Sequence, residues 1–174
     1  MLVPAVAFSD FILAIHILAV VIAFGGTFAY PLFFTAALRA DPSVVPWLLR
    51  TMHTISRRLI NPALLVVLVA GIYLASDEHQ WSSFYVGWGV IAVIALGALE
   101  GAVQIPRGRK LAEVAERDLA ASAVPGSGRG GATRTTAQWS PEFQAHYKVL
   151  QTVGAIEGLI VIVTVFLMAT HAGR

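Results

Sequence analysis

The sequence predicts an all-α fold, an integral membrane four-helix bundle that residues 1–174 form as a single transmembrane domain. Three observations lead to this prediction. Hydrophobic residues make up 57% of the chain and charged residues 13%, whereas a soluble domain carries about 25% charged residues. Four segments are long and apolar enough to cross the hydrocarbon core of a bilayer as helices. The loops between them alternate between basic and non-basic, which is typical of membrane topology.

The four predicted spans cover about 11–34, 59–75, 84–105 and 149–169. The second is long enough only if Arg57 and Arg58 extend their side chains from its start to the interface. Asp41–Pro42 and Ser140–Pro141 each resemble a capping residue followed by proline at the first helical position. We therefore expect the second and fourth helices to begin before they enter lipid. Asn61–Pro62 predicts a kink in the second helix or a short break before it.

The distribution of basic residues predicts the orientation. The second loop contains no Lys or Arg, whereas the first and third loops contain eleven: Arg39, Arg50, Arg57, Arg58, Arg107, Arg109, Lys110, Arg117, Arg129, Arg134 and Lys148. Basic loops remain in the cytoplasm. We therefore predict an N-out/C-out topology in the plasma (cytoplasmic) membrane, which is the inner membrane of a cell that has two.

The third loop, residues 106–146, is predicted to be cytoplasmic and to have two parts. Residues 107–122 are charged and continue the third helix beyond the membrane. Residues 125–136 are rich in glycine and poor in apolar side chains, so we predict a flexible segment there.

Several classes of function are excluded or disfavoured. The chain contains no cysteine, which excludes disulfides, thiolate metal sites and thiol catalysis. The formal net charge is only +2, and the basic residues lie in loops, so nucleic acid is not an expected partner. The expected partners are the lipid bilayer and either further copies of the chain or a larger membrane complex. No catalytic arrangement is recognisable, and whether the protein is an enzyme stays open.

Polar side chains inside the spans are costly and are therefore the first candidates for function. Glu100 and Gln104 lie one turn apart in the third span, and Glu157 falls near the middle of the fourth. Flanking glycines indicate that these two helices pack closely. The two carboxylates could form a proton path or a cation site. Alternatively, they are hydrogen-bonded to neighbouring helices, with Arg58 or Lys148 neutralising Glu100.

His16 is the candidate cofactor ligand. At helical spacing it shares one face of the first helix with Ala19, Ala23, Gly26 and Tyr30. The small residues of this face leave room beside the helix. We expect the imidazole to point into the bundle within reach of the third or fourth helix, where it could be an axial haem ligand. The alternative is a histidine hydrogen-bonded across the bundle. Apart from haem iron at His16, no metal site is predicted.

His53, Arg57 and Arg58 lie at the predicted cytoplasmic end of the second helix. One interpretation is that all three are anchors at the membrane interface and have no other role. The alternative hypothesis is that Arg57 and Arg58 bind a haem propionate or a lipid headgroup.

The first part of the chain resembles a known family. The first helix is similar to that of HemJ-type protoporphyrinogen oxidases, CopD-like membrane proteins and their uncharacterised four-helix bacterial relatives, through His16, Gly26 and Tyr30–Pro31. The second helix resembles theirs through Arg57, Arg58 and Leu59, Asn61–Pro62 and Gly71. The resemblance covers roughly the first 75 residues and implies haem b, with His16 as its axial ligand. The HemJ-type family has a functional lysine in its third helix, and residues 84–105 contain none.

Three functional hypotheses follow. The chain is a haem-binding or redox-linked membrane protein that uses His16. Alternatively, it is a small proton-coupled transport protein that uses Glu100 and Glu157, or a non-catalytic accessory subunit of a larger membrane complex.

Overall fold

The computed structural model describes residues 7–122 and 138–171, which form four long helices. They are α1 (Phe8–Ala40), α2 (Pro42–Asp77), α3 (Phe84–Ser122) and α4 (Pro141–Thr170). Each is long and apolar enough to cross a membrane, so the chain is a multi-pass membrane protein with an all-α, four-helix fold. The segment predicted to be flexible, residues 125–136, lies outside the described residues.

The helices are longer than a bilayer requires. They contain 30 to 39 residues and are therefore about 45–60 Å long, whereas the hydrocarbon core is about 30 Å thick. We call the end of the bundle that carries the first and third loops the basic end. The opposite end, with the α2–α3 connection and the end of α4, is the terminal end.

The surplus helix length at the basic end forms a compact layer, which we call the cap. It consists of residues 42–55, 105–122 and 141–150, and it contains the most completely buried side chains of the described structure. Val45 and Leu111 are 0% exposed, and Phe143 is almost as deeply buried. The predicted helical extension of the third span is therefore confirmed, and it presents an apolar face to α2 and α4.

The predicted starts of α2 and α4 are also confirmed. The Asp41 carboxylate accepts a hydrogen bond of 2.9 Å from the backbone N–H of Ser43, and α2 opens with a 3₁₀ turn. The Ser140 hydroxyl accepts one of 3.2 Å from the backbone N–H of Phe143. In each case a side-chain oxygen satisfies an N–H that the helix itself leaves free.

Two π-helical turns interrupt the long helices, at Ser56–Ile60 in α2 and Glu100–Gln104 in α3. Each turn ends two residues before a proline, Pro62 or Pro106. Proline cannot donate to the carbonyl four residues earlier, and its ring clashes with that carbonyl, so a wider turn relieves the conflict. The short break that was one alternative at Asn61–Pro62 is not found, because α2 continues through this position; the structure has a π-helical turn just before it. The equivalent one before Pro106 was not predicted.

In the membrane region, α1 and α2 pack closely through small side chains. Ala23 contacts Ala63 and Leu64 in one apolar cluster. The face of α1 that we expected to leave room for a ligand beside Ala23 is thus closed by α2. Small residues at this position serve close helix packing, which is their common role in lipid.

Candidate functional site

A cavity of about 600 Å³ lies among the four helices at the level of the two π-helical turns. We call it the carboxylate cavity because Glu100 and Glu157 both line it. Most of its wall is apolar. Its polar wall residues come from all four helices and are Thr27, Tyr30, His53, Ser56, Glu100, Gln104, Tyr147, Gln151 and Glu157.

The two π-helical turns position Glu100. Ser56 and Glu100 are the first residues of their respective turns, and the Ser56 hydroxyl donates a hydrogen bond to a Glu100 carboxylate oxygen. Two irregular turns therefore meet through a buried polar contact between α2 and α3. Single π-helical turns are frequently found at functional sites.

Glu157 is the most deeply buried wall carboxylate, with 8% of its surface exposed. Its Oε2 accepts a hydrogen bond of 2.9 Å from Gln104 Nε2. Its Oε1 is buried without a partner among the described residues. Gly154 leaves space for the Gln104 amide, since a Cβ there would lie 3.6 Å from Nε2. Buried polar atoms normally have partners, so the free oxygen of Glu157 points to a ligand, a proton or water in the cavity.

Two aromatic side chains that line the cavity, Tyr30 and Phe28, pack against glycines. The Tyr30 ring lies over Gly26, where a Cβ would be only 3.2 Å from Cζ, and the Tyr30 hydroxyl is buried without a partner in the described residues. The Phe28 ring lies similarly against Gly158, with 3.6 Å between its Cε1 and a Cβ placed there. Of these two contacts, the one at Gly26 is tighter than an ordinary van der Waals contact, so a larger residue at Gly26 would displace the Tyr30 ring.

The cavity has no fixed positive counter-charge. Among the described residues, no Lys or Arg lines it, and His53 is its one basic wall residue. The ion pairs found in the described residues do not include Glu100 or Glu157. Arg58 and Lys148, which we considered as partners of Glu100, are exposed. An ionised carboxylate buried in this way is costly unless a cation, a proton or water compensates it.

A second cavity of about 510 Å³ lies in the terminal half of the bundle. We call it the histidine cavity because His16 and His171 both line it. The His16 ring lies against α2, with Cε1 3.2 Å from a Cβ placed on Gly71, and its Nδ1 is buried without a partner in the described structure. The contact is thus with α2, although α3 and α4 contribute to the same wall. His171 ends α4 and packs edge-to-face on Tyr85 at 5.5 Å between ring centroids.

The structure does not bring Arg57 and Arg58 together with His16. Both arginines are exposed and line neither cavity. Gly71, which contacts His16, is thirteen residues beyond Arg58 along α2, and this corresponds to about 20 Å. The two arginines therefore lie at a different depth from any haem on His16, while contact with a lipid headgroup stays a prediction.

Sequence reasoning missed three parts of the carboxylate cavity. Ser56 was not singled out, Tyr30 entered only as part of the helix face of His16 and through the family resemblance, and His53 was interpreted as an interfacial anchor. One signal was available for Ser56: a proline six residues after it matches the proline six residues after Glu100. For Tyr30 the available signal was Gly26, one helical turn before it. A glycine at this spacing leaves room for a large ring to lie against the helix.

Comparisons with known proteins found no relative of this chain. No family model, no curated protein and no solved structure matches the chain. In the described residues, no group of three or more His, Asp or Glu side chains could hold a metal ion.

Proposed function

We propose that this protein is a small proton-coupled transport protein that works at the carboxylate cavity. One observation carries the proposal: Glu157 is buried on the wall of a large cavity with a free carboxylate oxygen, close to a second acid and without a Lys or Arg. A carboxylate in this setting holds either a proton or a cationic ligand, because both compensate the same buried charge. Competition of this kind couples the binding of a solute to the release of a proton.

The arrangement of the two cavities supports transport. They share no wall residue, and along α2 the carboxylate cavity ends at Ile60 whereas the histidine cavity begins at Val67. Ala63 and Leu64, which pack on Ala23, lie between these levels. On α1, α2 and α3 an apolar layer thus separates a cavity in the basic half from one in the terminal half, whereas on α4 the neighbouring residues Val161 and Ile162 line different cavities. Movement of this layer would connect the carboxylates to the other side of the membrane.

Proton flux in proteoliposomes tests the proposal. The purified full-length chain is reconstituted with an entrapped pH indicator, and a potassium diffusion potential drives proton entry. With no competing cation on either side, a site that crosses the membrane protonated can return empty, so we expect faster entry than in protein-free vesicles, and its loss in Glu157→Gln. Glu113→Gln, the same change at an exposed acid of the cap, is the matched control. Equal flux in the wild type, Glu157→Gln and empty vesicles would contradict the proposal.

The proposed location is the plasma membrane, with the cap in the cytoplasm and both termini outside. The eleven basic residues of the first and third loops support this orientation. Reporter fusions at Asp77 and Gly126 test it: the Asp77 fusion should report from outside and the Gly126 fusion from the cytoplasm. The reverse pattern would invert the topology.

A second candidate function is haem binding in the histidine cavity. The observation that favours it is the unpartnered Nδ1 of His16 on the wall of an apolar cavity. The residues fit the group, since an imidazole can supply an axial ligand and the surrounding wall is mostly apolar. Haem b held there by His16 would supply one-electron redox chemistry, as the resemblance to HemJ-type and CopD-like proteins implies. His171 lines the same cavity and is the candidate second ligand.

An absorption spectrum of the purified protein tests this candidate. Haem binding predicts a Soret band that His16→Ala removes. His53→Ala, at a histidine of the other cavity, should leave the band unchanged. If the wild type shows no Soret band after expression with excess haem, His16 has a packing role.

A further inference from the structure

We propose that the ligand of the carboxylate cavity is a lipophilic organic cation and that Glu157 is its main counter-ion. This inference rests on the proposed function, because it names the substrate class of the same site. Four features of the cavity support it: the charge of its wall, its aromatic side chains, the hydrogen bonds that its carboxylates already accept, and its position beside the lipid-facing surface.

The charge of the wall selects a cation. Glu157 is 8% exposed, lines the cavity and has a free Oε1. Glu100 lies on the same wall, and the described residues place no Lys or Arg there. An anionic ligand would meet two acids, and a neutral ligand would leave their charge uncompensated. A cation removes that penalty.

The rest of the wall selects an organic ligand. Phe28, Tyr30, Phe34 and Tyr147 line the cavity, and Phe34 stacks on Tyr147 at 4.8 Å between ring centroids. Aromatic faces attract cations that carry little hydration. A volume of about 600 Å³ is in the range of pockets that enclose drug-sized molecules.

An inorganic cation fits this wall less well. Hard metal ions require six or more oxygen ligands at close range. Here the Glu100 carboxylate is bound by Ser56 and one oxygen of Glu157 by Gln104. No group of three metal-ligating side chains is present in the described part of the chain. A diffuse charge on an apolar body matches the wall better than a compact ion.

The position of the cavity favours a ligand that dissolves in the bilayer. Phe28 of α1 and Leu159 and Ile162 of α4 line the cavity and are also 49%, 62% and 57% exposed. A single layer of side chains therefore separates the cavity from the lipid-facing surface between α1 and α4. Rotamer changes of these side chains would admit a lipophilic cation directly from the membrane.

Equilibrium dialysis with tetraphenylphosphonium tests the inference on the full-length protein in mild detergent at a single pH. We expect saturable binding, no saturable binding of the neutral analogue triphenylphosphine oxide, and affinity at least about tenfold lower in Glu157→Gln. Glu113→Gln, in the cap, should bind as the wild type does. Phe28→Ala is a second wall variant, with weaker binding expected from loss of the ring, in case Glu157→Gln does not elute as a folded protein.

Three results would overturn the inference: absence of saturable binding, equal binding of the neutral analogue, or displacement of the probe by equimolar manganese. Unchanged affinity in both wall variants would also overturn it. The proton-flux assay contains no organic cation, so the two proposals fail separately. Proton flux without tetraphenylphosphonium binding removes only the substrate class, whereas binding without flux leaves a cation site and removes the transport function.

Discussion

Two acids of this protein are almost equally buried but differ in their surroundings. Asp118, in the cap, is 7% exposed and accepts a hydrogen bond of 2.9 Å from the backbone N–H of Ser140, with Arg117 3.8 Å away. Glu157, in the membrane region, accepts only the Gln104 amide and has a free oxygen beside a cavity. Asp118 joins the end of α3 to the start of α4. The comparison teaches that equal burial does not imply equal surroundings, since one acid has its hydrogen-bond partners in the described structure and the other keeps an oxygen without one.

The two regions that contain these acids also differ in how tightly their apolar side chains pack. The cap is surrounded by water at the basic end, so apolar side chains such as Leu111, Val114 and Phe143 gain free energy by packing together. In the membrane region lipid chains solvate apolar side chains as well as a neighbouring helix does. Cavities are therefore less costly to leave open there. The histidine cavity lies wholly in the membrane region, and the carboxylate cavity extends from there to cap residues such as Leu49, Gly108 and Leu111.

The largest predicted effect is on the cap core. Leu111→Ala should lower the free energy of unfolding by about 2–5 kcal/mol, because it empties a fully buried site. Both side chains border a cavity, but Leu96→Ala in the membrane region should lower it by less than half as much, because lipid solvates an exposed apolar side chain there and water does not at the cap. Thermal unfolding followed by circular dichroism in mild detergent measures both. Equal losses would mean that the cap is not packed more tightly than the membrane region.

The next effect concerns the acid of the cap. Asp118→Ala should lower the free energy of unfolding by about 1–3 kcal/mol, because it leaves the Ser140 N–H without its acceptor. The same unfolding measurement applies. Glu113→Ala removes an exposed acid of the same helix and is the control, with little change expected. A stable Asp118→Ala protein would show that water replaces the carboxylate at this N–H.

Glu157→Gln should behave in the opposite way. The change removes a carboxylate that lacks a cationic partner in the described structure, so we expect stability within about 1 kcal/mol of the wild type, or slightly above it. Proton flux should be lost in the same protein. A strongly destabilised Glu157→Gln variant would give Glu157 the structural role assigned here to Asp118.

The smallest effect is expected at the surface of the cap. Arg117 donates to Glu142 at 2.8 Å, and this hydrogen bond holds the pKa of Glu142 below its usual range. Because the folded-state pKa is lowered, the ion pair stabilises the cap above the usual carboxyl range and is lost as pH falls through the lowered value. Glu142→Gln should shift the unfolding temperature only slightly, and less at acidic pH than at neutral pH. A large shift would indicate that this exposed pair is part of a wider network.

Much of the fold could be predicted because lipid and water impose strong local rules. Four apolar segments, two N-cap–proline pairs and the charged extension after the third span each depend on neighbouring residues in the chain. The π-helical turn before Pro106 obeys the same local rule as the one before Pro62. It was missed because only the second helix was considered for a proline break.

The sequence by itself determined that the chain crosses a membrane four times, where two of its helices start, and which polar residues are costly in lipid. Only the tertiary structure decided what those residues do for one another. Ser56 meets Glu100, and Gln104 meets Glu157, across 44 and 53 residues of chain. His16 turns to Gly71 of α2. Hydropathy is a property of each segment, but a partner in space depends on how the helices are rotated about their axes. That rotation is set by side-chain packing between helices, which no single segment encodes, and the two π-helical turns change it locally within α2 and α3.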